Sequence, residues 1–224
     1  IEKMLNESIF NDKRIYLNLE LAKIYLEIGE TDAAKSIFDD IVLNYSKKNE
    51  TAEAYYHLAM IRLNKSFDIE EGKELFNKSK SEKSSSKYGK ISKELINKIE
   101  HLEENIIEYD YSISDSVLND STISSFSSDS LLFLIAQSYY FDFNQIELSK
   151  QNHITIVDKF PESSYMPKSV FILSIIDSTN IKWKNIMASN QSEFLFLNVS
   201  DTTLDKNALN NDYYNAIRLL ELGF

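Results

Sequence analysis

The 224 residues are 43% hydrophobic and 26% charged, enough apolar material for one large domain, two small ones or a short solenoid. Cysteine is absent, which excludes disulfides, thiolate nucleophiles and Cys-based zinc sites and leaves the redox compartment open. Four Gly and two Pro leave few helix breakers, so the composition favours an all-helical class.

The formal net charge of −11 is unevenly spread. From Ile99 to Ser149 there is no Lys or Arg but there are ten acids: Glu100, Glu103, Glu104, Glu108, Asp110, Asp115, Asp120, Asp129, Asp142 and Glu147. Such a surface repels phosphate backbones and anionic lipid, so nucleic acid and membrane surfaces are poor partners. A solvated face with a polar linker accounts for the block more simply than an acidic docking site. No apolar run approaches the roughly 18 residues needed to cross a bilayer. The chain begins at Ile1 rather than Met, so an upstream segment is expected, and any signal peptide or lipid anchor would lie there.

In chain order, Ile1, Met4, Leu5 and Ile9 fall at helical spacing and suggest the last helix of a preceding unit. Leu17, Leu21, Ile24, Tyr25 and Ile28 then form a helical stripe that Gly29 ends, since Gly tolerates the left-handed conformation that closes a helix. Thr31 or Asp32 is expected to cap the next helix, whose stripe is Ala34, Ile37, Phe38, Ile41, Val42 and Tyr45. A second pair opens at Ala52, with a one-residue insertion in the turn near Phe67. A polar connection, Ser79 to Lys87, leads to a long helix from about Tyr88 to Tyr109, striped by Ile91, Leu95, Ile99, Leu102 and Ile106. The Ser- and Asp-rich stretch from Asp110 to Asp129 has no sustained period and reads as a flexible loop, although Tyr109, Tyr111 and Ile113 alternate as in a strand. A third pair begins near Ser130 and closes at Phe160-Pro161. A fourth starts at Pro167, with Ile181 to Ala188 as its second helix, and one more helix is plausible from Asp205 or Asp212 to Leu222. The expected organisation is 1–109 as N-terminal pairs plus a long helix, 110–129 as the loop, and 130–224 as C-terminal pairs with an irregular end.

Small and large residues recur within these pairs. Leu21-Ala22 with Tyr25 fits L-[small]-x2-Y, and Ala34 with Phe38 fits A-x3-F. Leu58-Ala59 repeats the first motif 37 residues later, with Arg62 in place of the tyrosine and Gly72 and Phe76 in the second motif. Ile135-Ala136 with Tyr139 is a third copy, in which Ser149 and His153 stand where Ala and Phe would be, again after one inserted residue. Together these copies resemble the tetratricopeptide (TPR) repeat, a helix pair of about 34 residues. The resemblance implies an all-α fold: a TPR-like right-handed superhelix of antiparallel helix pairs, an α-solenoid. Small residues let paired helices approach, large ones fill the space around them, and stacked pairs share a continuous core.

The resemblance also implies a non-catalytic scaffold that binds a protein or peptide in a concave groove lined by first helices. Carried over by position, the groove residues are Tyr16, Leu19, Lys23, Leu26 and Glu27 in the first pair. They are Glu53, Tyr56, Met60 and Leu63 in the second, and Phe133, Gln137 and Tyr140 in the third. With Lys23 the only base among them, a clamp for carboxylate tails is not expected; Tyr, Phe and Met suit an apolar peptide or helix. The alternative is a structural spacer within a longer repeat protein, with these residues covered by neighbouring helices. Phe160 to Lys168, FPESSYMPK, is similar to the FP-x-S-x-Y-x-P-K/A junction of bacterial envelope TPR proteins, including the lipoprotein of the outer-membrane β-barrel assembly machinery. That points to the periplasm or an outer-membrane lipoprotein, with the cytoplasm next.

Signals for other chemistry are weak. His57, His101 and His153 lack a metal-ligand partner at helical spacing, and His153 on an apolar stripe reads as a core or edge histidine. No G-x-S-x-G motif, phosphate-cradling glycine loop or calcium loop is present. Trp183 reads as packing. No cofactor, metal or enzymatic activity is expected.

Overall fold

The computed structural model describes residues 1–5, 8–115 and 127–189. Among the described residues every regular element is helical: ten α-helices, a 3₁₀ turn at Ser8–Lys13 and a π-helical turn at Ser138–Asp142. The chain divides into two compact units after Glu104.

In unit 1 the expected leading helix is broken into α1, Glu2–Leu5, and the 3₁₀ turn. Then come α2, Arg14–Glu27; α3, Thr31–Asn44; α4, Asn49–Ser66; and α5, Ile69–Glu82, each packed on the next. The α2–α3 turn is set by Gly29 at φ +85. Its N–H donates to the Leu26 carbonyl at 3.1 Å, and the Glu30 N–H donates to that of Tyr25 at 2.8 Å. This paired closure satisfies two carbonyls left over at the helix end. Helix α3 starts one residue earlier than expected: Glu30 is the N-cap and makes no side-chain cap bond, so Thr31 and Asp32 lie inside the helix. By contrast Asp68 caps α5, its carboxylate accepting from the Glu71 N–H at 3.0 Å.

The core of unit 1 follows the small-and-large scheme. Ala22, Ala34, Ala59, Phe38 and Phe76 are wholly buried, and Ile15, Leu19, Ile41, Ala54, Leu58 and Ile61 pack into the α2–α4 core that holds Phe38. Arg62, the departure from the tyrosine position, donates instead to Glu71 of α5 at 2.6 Å. Between α4 and α5 the Ser79 hydroxyl donates to the Ala52 carbonyl at 2.7 Å, and Ser92 donates to Ser79 at 2.9 Å, all buried. Ser92 belongs to α6, Lys87–Asp115, which crosses the boundary between the units. A Cβ on Gly89 would stand 2.2 Å from the Lys83 carbonyl oxygen, so only glycine fits the close approach at the start of α6. Helix α6 has no acid in its first turn and no base in its last. It continues past Tyr109 to Asp115, so Tyr109, Tyr111 and Ile113 are helical, not strand-like. Three alternating residues could not outweigh the 3.6-residue stripe that precedes them. Of the expected loop, 116–126 lies outside the described residues.

Unit 2 comprises the end of α6, then α7, Ser128–Gln137, running directly into the π turn; α8, Ile146–Lys159; α9, Met166–Ile176; and α10, Ile181–Ser189. Its core joins Leu132, Phe133, Ile156, Val170, Leu173 and Trp183. Pro167 sits in the first turn of α9, where its missing N–H costs nothing. The Trp183 indole N–H donates to Asp177 Oδ2 at 3.0 Å, anchoring α10 to the turn before it. The helix expected to end at Leu222 lies outside the described residues.

Candidate partner-binding site

In unit 1, the α2–α3 turn and the last turns of α4 enclose an open cleft of about 630 Å³. Leu26, Met60 and Ile61 supply its apolar lining, and Glu30, Asp32, Asn64 and Lys65 its polar lining. Lys65 stands 3.5 Å from Asp32, both largely exposed, so this pair adds little rigidity. His57 lines the same cleft and leads to a polar cluster beside it.

That cluster is centred on Glu53, whose side chain is only 14% exposed. Lys23 reaches it at 3.3 Å while donating to Glu20 at 2.7 Å. His57 Nε2 lies 3.8 Å from Glu53, too far for a hydrogen bond, and is buried without another partner. Burial pushes the Glu53 carboxyl up, but the neighbouring His57, Lys23 and Tyr88 side chains outweigh it and hold it below its ordinary value. The Lys23 ammonium is held above its ordinary value, chiefly by the Glu20 bond. Burial raises the Tyr56 and Tyr88 phenols. The His57 ring stacks on Phe38 at 5.1 Å, and Tyr56 packs on Tyr88 at 4.9 Å and on Phe76 at 5.9 Å. An aromatic floor therefore carries the ion pair.

Against this geometry the groove expected from the sequence divides. Tyr16 is 52% exposed, and Lys23, Leu26, Tyr56 and Met60 are partly exposed. Leu26 and Met60 share the cleft. Leu19 and Leu63, each 2% exposed, are core residues and cannot offer a surface to a partner. A first helix wedged against helices on two sides buries a wider arc than one paired with a single neighbour, and α2 touches both α3 and α4. In unit 2 Phe133 is also removed, 3% exposed and packed on Tyr165 at 4.8 Å, while Gln137 and Tyr140 stay partly exposed. Two residues of the site escaped the sequence reading, His57 and Tyr88. Glu53 and His57 stand four apart on α4, a spacing that was available as a signal; nothing in the repeat period marked Tyr88.

His153 of α8 is buried, with Nδ1 3.1 Å from the Ser169 hydroxyl and the ring edge-on to Phe133. Burial pushes its pKa down to about 3. Among the described residues no three His, Asp or Glu side chains gather as a metal site, and no helix is long and apolar enough to cross a membrane.

A family model of the tetratricopeptide repeat matches residues 17–47, the span of α2, its glycine turn and α3. No curated protein matches the chain, and no solved structure does. The chain thus carries a TPR-type repeat within an all-α, TPR-like helical array. Repeats of this kind generally act as non-catalytic scaffolds for protein–protein interaction.

Proposed function

We propose that unit 1 takes a segment of a partner protein against α2 and α4, with Leu26 and Met60 as the apolar contact and the Lys23–Glu53 pair as the polar one. The observation that carries this reading is the open cleft in which Leu26 and Met60, from different helices, come together. Met is unbranched and polarisable and adapts to varied apolar partners. Tyr56 and Met60 remain partly exposed, which favours a binding face over the spacer alternative; the burial of Leu19, Leu63 and Phe133 narrows the face. The partner is a protein or peptide, since net charge −11 disfavours nucleic acid and anionic lipid.

The setting we propose is a bacterial envelope assembly, on the Phe160–Lys168 junction. Its residues also have a local role: Ser163 accepts from the Tyr165 N–H at 3.0 Å and donates to Asp129, so the motif shapes the α8–α9 turn. Cell fractionation tests the setting, and a product wholly in the cytosol would remove it.

The cleft is tested by selecting displayed peptides on the full chain and measuring each against Leu26→Ala and Met60→Ala. Affinity should fall about tenfold, in line with loss of a central apolar contact. Peptides that bind the variants as well as the parent chain would sink the assignment.

A further inference from the structure

We propose that unit 1 holds a second anchor point, a socket among α3, α4 and α5 that takes one uncharged, Phe-sized side chain of the same partner segment. The inference rests on the reading of the Leu26–Met60 cleft and deepens it: the partner carries two apolar anchors.

The socket begins with a departure in the sequence. In the first pair Tyr25 packs against the α2–α4 core. In the second pair Arg62 stands at the matching position, and its guanidinium is drawn to Glu71 of α5 at 2.6 Å. Arg62 also lines a cavity of about 160 Å³ whose apolar residues are Leu58, Ile61 and Leu75. That is too small for a drug-sized molecule, but close to the roughly 150 Å³ that admits benzene in an apolar cavity. The position that lacks its ring thus opens on a space of about one ring.

Charge and continuity name the occupant. Among the lining residues Lys35 pairs with Asp39 at 2.6 Å, Arg62 with Glu71 at 2.6 Å and Lys65 with Asp32 at 3.5 Å. The charged residues of the socket are thereby matched acid to base, so a charged guest would shed its water without gaining a partner. An uncharged ring meets no such cost, and the Arg62 guanidinium can lie against its face. Asp32, Ile61 and Lys65 line both the socket and the cleft, so the two spaces are neighbours. The Asp32–Lys65 pair between them is exposed and weak, and a segment seated on Met60 has only that pair to cross. The socket adds residues of α3 and α5 to the α2–α4 face.

The test uses the full chain and peptides selected on it from a displayed random library, each synthesised with a fluorescein label and read by anisotropy. The peptides should carry two large apolar residues, each costing about tenfold in affinity when replaced by Ala. Leu75→Phe and Arg62→Tyr fill the socket with a ring of the chain's own and should each weaken binding by a similar factor, while circular dichroism shows the parent helix content. Replacing the socket anchor of the peptide should cost nothing further in Leu75→Phe, and replacing the cleft anchor nothing further in Met60→Ala. Three results would overturn the proposal: parent affinity in both filled variants; losses at Leu75→Phe and at the socket anchor that simply multiply; or a self-association in sedimentation that both filled variants abolish, which would make a second copy the occupant. Loss on Met60→Ala with both filled variants unchanged would leave the cleft standing and remove the socket. Loss in the filled variants with Leu26→Ala and Met60→Ala unchanged would sink the cleft and, with it, the two-anchor segment.

Discussion

The two units absorb the same accident in different ways. Each has a helix pair with one residue too many between its small-residue positions, Ala59 to Gly72 in unit 1 and Ala136 to Ser149 in unit 2. In unit 1 the extra residue falls outside the helix: Phe67 takes φ +47 at the end of α4, and Asp68 caps α5. In unit 2 it stays inside, and α7 widens into the π turn before Asn144 turns left-handed at φ +52. Their interiors differ as well. Phe38 and Phe76 fill the large position in unit 1, whereas unit 2 places His153 there, with Ser149 at the small position. A repeat thus tolerates an insertion or a polar core residue provided the helix–helix spacing survives, and the departures in unit 2 lie on both its surface and its core.

Acid should separate the units most strongly. His153 is buried with a pKa near 3 against an ordinary 6.5, so its contribution is complete above pH 6.5 and is lost as pH falls from there toward 3. The full loss is on the order of 5 kcal/mol. Glu53 in unit 1 has a lowered pKa, so its contribution is retained until pH falls below about 4.5. Trp183 is the sole tryptophan and sits in the unit 2 core, so its fluorescence reports that unit alone. Urea midpoints followed by Trp183 should drop between pH 7 and 5, and His153→Phe should flatten the drop; a persisting slope in that variant would assign acid sensitivity elsewhere.

Phe38→Ala should cost unit 1 roughly 3–5 kcal/mol. Circular dichroism should then show early partial melting while the Trp183 midpoint stays in place; a shared shift would mean that the units unfold as one. Gly29→Ala should cost about 1–2 kcal/mol through backbone strain at positive φ alone, because no atom lies within 4 Å of its added Cβ. Smallest is Ser149→Ala, which removes a buried hydroxyl without a partner and should stabilise unit 2 by about 1 kcal/mol; a lower Trp183 midpoint would show that the hydroxyl is satisfied after all.

Ala22, Ala34 and Phe38 were legible because small and large residues at fixed spacing specify a helix contact whatever lies further off, whereas Leu21, expected to fill the same contact, is only half-buried. The glycine turn at Gly29 and the stop at Pro161 were legible for a similar reason: their backbone constraints are local. Burial of Leu19, Leu63 and Phe133 was not legible, since it depends on how far the next helix overlaps the first. The insertions at Phe67 and before Ser149 could be counted in the sequence, yet their resolution into a left-handed residue or a π turn depends on the packing around each helix end. The missing cap at Glu30 shows the same limit: Thr31 and Asp32 were the better capping residues, but the paired closure at Gly29 fixes where α3 begins.

One further consequence follows from α6, which opens without acids and closes without bases. Its charges oppose the alignment of its peptide dipoles, so each terminus carries a small electrostatic penalty. Salt ordinarily weakens helices that rely on surface ion pairs. Here, raising the ionic strength should slow amide exchange in the first and last turns of α6, making the one helix common to both units steadier in brine than in dilute buffer.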